Sequence, residues 1–213
     1  LAAVRQLTRD GFRIAVLGLE PAPSEDQCDS AFYRCDVSDS VAVSAAFADI
    51  GSDYGRVDVL VNNAGVLSYG DAVSLSEDEW DRVMGVNLKG AWLCARAAIP
   101  LMPEGSVVVN VASVQSFIAQ PMVAAYATSK AAILGLTRSI AIDFAPRVRC
   151  VAVCPGTIDT PMLQGALAHA ADPEAMMDEL NQAHLSRRVG RPEEVGELIA
   201  FLASDKCTFI NGQ

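Results

Sequence analysis

The chain has 213 residues, 51% hydrophobic and 20% charged, which is enough for one α/β domain with a substantial core and short for two. Its 16 Lys and Arg against 26 Asp and Glu leave a formal net charge of −10, which argues against a basic face for nucleic acid or an anionic membrane. Six cysteines without a C-x-x-C pair and only two histidines, His169 and His184, speak against a metal site and for reduced, buried thiols; with no apolar run near 18 residues and no leader-like start, a soluble cytoplasmic chain is expected.

In chain order, apolar residues at 1, 4 and 7 with Gly11 as terminator predict a first helix. Residues 12–19 read as a buried strand ended by Pro21. Residues 32–35 form a second short strand ending in Asp36, with Ser38 a good N-cap for a helix over 41–50. A third strand at 57–61 runs into Asn62, Asn63, Ala64 and Gly65. A helical region over 77–99 has Ser76 as its cap and weak points at Gly85 and Gly90. A fourth strand at 107–111 leads to Ser113, and an amphipathic helix carrying Tyr126 and Lys130 continues until Pro146. The fifth strand, 149–153, ends in Pro155-Gly156. Residues 162–188 are helical but loosely patterned, and Pro192 is pre-set for the first turn of a last helix over 193–202.

Continuously apolar strands alternating with helices predict an α/β fold: a doubly wound parallel sheet in three layers, one domain over 1–213. Ligands in such sheets bind beyond the carboxyl ends of the strands. Asp36, Asn62 to Gly65, Ser113 and Pro155-Gly156 each follow a strand, so they are expected along one rim. Tyr126 and Lys130 stand four apart on a helix and share a face. A cation beside a phenol lowers its pKa from about 10 and makes it a proton donor or acceptor near neutrality.

Asp36-Val37, NNAG at 62–65, Asn87 in VNLKG, Ser113, Tyr126-x-x-x-Lys130, Pro155-Gly156 with Thr160, and GRPEEV at 190–195 occur in one order. With these pieces the chain resembles the short-chain dehydrogenase/reductase family over essentially its whole length. The resemblance implies a Rossmann-type enzyme that transfers a hydride between NAD or NADP and an alcohol or carbonyl. Tyr126 would exchange the proton, and Lys130 would lower the phenol pKa and bind the nicotinamide ribose. Ser113, with Ser116 as fallback, would donate to the reacting oxygen, and Asn87 would link the lysine to solvent through water. Asp36 would accept from the adenine amino group beside the Val37 backbone, and Asn63, Ala64 and Gly65 would meet the adenosine ribose. Pro155, Gly156, Ile158 and Thr160 would hold the carboxamide end. A substrate lid is expected over about 157–190, its histidines and methionines serving as lid packing. A homotetramer or homodimer is expected through the helices around 77–99 and 126–145.

Three departures from the family pattern stand out. The glycine-rich phosphate loop, the first strand and the last strand are missing, so a gap is expected in the middle of the sheet and the chain reads as an incomplete copy. Gly18 stands where an acid usually binds the 2′-hydroxyl of NAD; no Arg or Lys lies between Gly18 and Asp26, and Glu20 and Glu25 would repel a 2′-phosphate, which favours NAD. Val151 replaces a common Asn, with no functional reading. Segments around IDFAP and VRCVAVCPGTIDTPML look like a subgroup acting on aldohexoses, and Gln115, Gln120 and Asp159 are expected to face the pocket and bond sugar or polyol hydroxyls. The alternative is a 3-oxoacyl-[acyl-carrier-protein] reductase, for which Arg82, Arg187, Arg188 and Arg191 would supply the docking face. A non-catalytic dinucleotide sensor is the alternative of another class, though the chain keeps Ser, Tyr, Lys and Asn.

Overall fold

The strands form where the short apolar runs lie. The computed structural model describes residues 1–21 and 30–213. In it β1 (Ile14–Gly18) pairs parallel with β2 (Ser30–Arg34), Ile14 opposite Ser30. A second parallel sheet has the order β3 (Val59–Asn62), β4 (Ser106–Val111), β5 (Val148–Val153), with Val59 opposite Val107 and Ser106 opposite Val148. No described strand joins β1 to β3, and the expected gap is there. Its consequence is visible in the burial: β4 and β5 are almost wholly buried, whereas the equally apolar β1 and β3 are only half-buried at every residue. At the other end Gly212 N donates to Cys150 O (2.8 Å) and Ala152 N to Gln213 O (2.6 Å), so the last residues lie along the free edge of β5.

Eight α-helices cover the described sheets: α1 (Ala2–Arg9), α2 (Ser40–Tyr54), α3 (Glu77–Met84), α4 (Gly90–Ala98), α5 (Ala124–Phe144), α6 (Pro161–Ala168), α7 (Pro173–Ala183) and α8 (Pro192–Ala203). Side chains alternate across a strand, so β4 feeds two cores. Val108 belongs to one core with Phe47 and Ile50 of α2 and Leu93 of α4, while Val107 and Val109 belong to another with Leu7 of α1 and Ile199 and Leu202 of α8. The thiols of Cys94 and Cys150 sit in the first of these cores, where burial pushes both up to about 12. They act there as small apolar side chains.

Several helix ends differ from expectation. The N-cap of α2 is Asp39, whose carboxylate accepts from Val41 N (2.8 Å); Ser38 instead donates to Asp36 through its own N–H and hydroxyl. Ser76 caps α3 as expected. The single helical region expected over 77–99 is interrupted by a π-turn at Gly85–Lys89, and the lid region is two helices separated where Asp172 caps α7 and Pro173 begins it.

Candidate active site

Three elements deliver the chemistry. β4 ends at Val111, and Ser113 caps a 3₁₀ turn (Val114–Ser116), its Oγ accepting from Gln115 N (3.2 Å). Tyr126 lies in the first turn of α5 and Lys130 one turn later, on the same face. The turn after Ser113 is pinned to this helix by Ser116, whose hydroxyl donates to Lys130 O (2.7 Å). Ser116 is therefore spent on structure, and Ser113 is the hydroxyl left at the rim.

The π-turn places the third group. An extra residue in the turn rotates Asn87 inward, where it is 2% exposed. Its Oδ1 accepts from Val66 N (2.8 Å), and its Nδ2 donates to Val66 O (3.0 Å) and Ser129 Oγ (3.0 Å). Ser129 in turn donates to Tyr126 O (2.8 Å), so Asn87 ties the segment after β3 to the first turn of α5. Gly65 lies at the meeting point: a Cβ there would stand 3.5 Å from Lys130 Nζ and 3.6 Å from Asn87 Oδ1. Asn62 performs a related task deeper in the sheet. Its Nδ2 donates to Asn110 Oδ1 (2.9 Å) on β4 and to Ala91 O (3.2 Å) on α4.

Electrostatics correct one expectation. The phenol of Tyr126 is raised rather than lowered: burial pushes it up, and the hydrogen bond from the Ser113 side offsets only part of that. Lys130 does not reverse the balance. Its Nζ donates to Val111 O (2.7 Å) and stands 5.7 Å from the centre of the Tyr126 ring, and its own burial brings it down to about 8. Both groups are desolvated, and desolvation disfavours phenolate and ammonium alike.

A cavity of about 980 Å³ joins these groups and extends into the gap between β1 and β3. Of the residues expected to bind, Val37, Asn63, Ala64, Gly65, Ser113, Gln115, Gln120, Tyr126, Lys130, Pro155, Gly156, Ile158 and Thr160 line it. Asn87 is buried behind them. Asp36 is exposed at the end of β2, outside the lining, with Ser38 on its Oδ1. Asp159 does not face the cavity as expected: the loop turns it outward, and its Oδ1 accepts from Gln164 Nε2 (2.6 Å) on α6. Glu25 and Asp26 lie outside the described residues. Sequence reasoning missed Val111, whose carbonyl holds the ammonium, and Ser129. The position of Ser129, three residues after Tyr126, was the available signal. For a backbone carbonyl there is none.

A family model described as Enoyl-(Acyl carrier protein) reductase matches residues 1–213. Oxidoreductase UcpA of Escherichia coli (strain K12) is 36% identical over 221 residues, covering 98% of this chain and 84% of that protein. The 2-(R)-hydroxypropyl-CoM dehydrogenase of Xanthobacter autotrophicus is 38% identical over 225 residues, covering 99% of this chain and 88% of that one. Among solved structures, the ligand-free aldohexose dehydrogenase of Thermoplasma acidophilum superposes with a TM-score of 0.93 at 38% identity, over 99% of this chain and 84% of its own. Likeness of this extent goes beyond shared architecture: the chain belongs to the short-chain dehydrogenase/reductase family of oxidoreductases.

Proposed function

We propose that the chain interconverts an alcohol and a carbonyl on a sugar or polyol, with NAD as its redox partner and Tyr126 as the proton-transferring group. The observation that carries this reading is the convergence of Ser113, Tyr126 and a buried Lys130 on one cavity at the ends of the strands. The residues fit a nicotinamide dinucleotide. An ammonium has three donors, and the hydrogen bond of Lys130 to Val111 O uses one, leaving two for a ribose diol. Gly65 lacks the Cβ that would crowd that approach. The dinucleotide, when bound, supplies the hydride donor or acceptor.

The chain's own residues do the remainder. Lys130 holds the nicotinamide ribose, and Asn63, Ala64 and Gly65 take the adenosine ribose. Asp36 accepts from the adenine amino group beside the Val37 backbone. Pro155, Gly156, Ile158 and Thr160 form the carboxamide end. Tyr126 gives a proton to the substrate oxygen, or takes one from it, while the Ser113 hydroxyl donates to the same oxygen and stabilises charge developing there. Asn87 fixes the first turn of α5 against Val66 and so keeps Tyr126 and Lys130 in register. NAD is favoured over NADP because Gly18, Leu19 and Glu20 provide no cation for a 2′-phosphate.

The sugar or polyol preference rests on the cavity mouth. Gln115 Nε2 donates to Gln120 Oε1 (2.8 Å), while Gln115 Oε1 is buried without a partner among the described residues. An orphaned acceptor beside the reaction centre calls for a donor, which a neighbouring substrate hydroxyl provides and an acyl chain does not. The similarity to an aldohexose dehydrogenase points the same way. The arginines that would form an acyl-carrier docking face are largely engaged: Arg82 with Glu79, Arg188 and Arg191 with Glu194, and Arg187 with Gln182 O.

Purified protein assayed by nicotinamide absorbance should turn over aldohexoses or polyols with NAD in preference to NADP, and Tyr126→Phe should lower kcat at least about 100-fold. Turnover of 3-oxoacyl thioesters alone would overturn the substrate reading. Undiminished activity in Tyr126→Phe would overturn the mechanism.

A further inference from the structure

We infer that His184 is a positioning residue that sets the nicotinamide end of the site from the lid side, an inference that rests on the dinucleotide reading above. His184 is the C-cap of α7 and is half-buried. Its Nδ1 stands 2.7 Å from Leu180 O, one turn back in its own helix, and its Nε2 stands 3.0 Å from Thr157 N. A carbonyl can only accept and a backbone N–H can only donate. The two contacts therefore assign the neutral tautomer: Nδ1–H donates to Leu180 O, and the bare Nε2 accepts from Thr157 N–H. The helix end fixes the ring, and the ring fixes the loop.

The approach is built into the loop's sequence. A Cβ on Gly156 would stand 2.5 Å from His184 Nε2, so only glycine admits the imidazole at this distance. The chain after His184 then holds the same loop from its other side. Gly190 N donates to Thr157 O (2.9 Å), and Asp159 N donates to Gly190 O (2.9 Å). A Cβ on Gly190 would stand 2.5 Å from Ile158 Cδ1. Asn181 closes the intervening turn through Oδ1, which accepts from Val189 N (2.9 Å). Thr157 thus has its N–H taken by His184 and its C=O by Gly190, with Gly156, Ile158 and Thr160 on the cavity wall around it. His184 touches neither the reacting atoms nor the adenine side of the cavity. It acts through the Gly156–Thr157 backbone, and its effect is confined to the end of the site that takes the nicotinamide ring.

Two probes separate that role from general packing. NADH reports the whole site by its fluorescence on binding, and ADP-ribose, measured by calorimetry, reports every part of it except the contacts to the nicotinamide ring. His184→Leu strands the Thr157 N–H and should weaken NADH binding roughly tenfold while leaving ADP-ribose within about twofold. His184→Gln places an amide oxygen near the Nε2 position and should restore NADH binding to within about threefold of the parent. The KM for NAD should follow the same order, with kcat changed less. If His184→Leu does not fold, His184→Asn takes its place, since it keeps a donor for Leu180 O but falls short of Thr157. Equal loss of NADH and ADP-ribose, no loss of NADH, or a Gln variant no better than Leu or Asn would overturn the inference. A parent protein that binds neither probe would instead overturn the dinucleotide reading itself.

Discussion

At the residue scale, the site is maintained against its own electrostatics. Lys130 is 5% exposed, and its ammonium falls from 10.5 to about 8 because burial strips its water. That difference opposes the folded state by about 3 kcal/mol at neutral pH. The folded value is the lower one, so between about pH 8 and 10.5 the unfolded chain binds the extra proton. Stability linked to this group is therefore lowest below pH 8 and rises across that window. Lys130→Met keeps the stem, removes the charge and sacrifices the bond to Val111 O, which is worth about 1 kcal/mol. It should raise the unfolding free energy at pH 7 by about 1–2 kcal/mol and abolish turnover, with the gain fading as pH approaches 10.5. Urea melts at pH 7 and pH 10 check this, and a pH-independent gain would refute the assignment to the ammonium. The spacing of Tyr126 and Lys130 was legible because i and i+4 share a face on any helix. The direction of the phenol's shift was not, because it depends on how deeply the pair is buried and on which carbonyl takes the ammonium. Asp159 failed for a similar reason: in an irregular loop, a residue between two that line the cavity, here Ile158 and Thr160, can turn either way, and Gln164 decides it.

At the scale of elements, the strands were legible because short apolar runs bounded by turn residues have few alternatives, and the helix interruptions were only half legible. Gly85 and Gly90 marked where a helix weakens, but not that five residues would form a π-turn and carry Asn87 inward. The reason for Gly90 is tertiary: a Cβ there would stand 2.9 Å from Val37 Cγ2, so α4 can pass the end of β2 only without a side chain. Gly196 plays the same part between α1 and α8. A Cβ would meet Ala2 C at 2.9 Å and Ala3 N at 3.0 Å, which are backbone atoms that cannot rotate away. In an isolated helix, Gly→Ala would gain about 1 kcal/mol from propensity. Here overpacking of about 1–3 kcal/mol opposes and exceeds that gain, because α1 must move off α8. Gly196→Ala should therefore lower stability by about 1–2 kcal/mol in thermal melts, and a stabilised variant would mean that the two helices do not cross this closely.

At the scale of the whole molecule, the interrupted sheet followed from strand count and order, while the form of the cavity did not, since β1 and β3 face it across a gap whose width no local pattern sets. The outer surface raises a separate question of assembly. On the helices expected to meet a second copy, Trp80 of α3 is 37% exposed, Trp92 of α4 is 44% and Ile142 of α5 is 79%. Large apolar groups left in water at each of these helices favour association by about 25 cal/mol for every Å² covered. The net charge of −10 works the other way, because identical copies repel. The two terms respond differently to salt: screening shortens the repulsion to about 8 Å at physiological ionic strength and leaves apolar burial almost untouched. Light scattering should therefore find a dimer or tetramer that is favoured as salt rises. Ile142→Glu adds a charge where the apolar contact is needed and should shift the population toward monomer, with the helical circular dichroism unchanged. A parent protein that stays monomeric at high salt would show that these side chains are solvent-facing in the working enzyme.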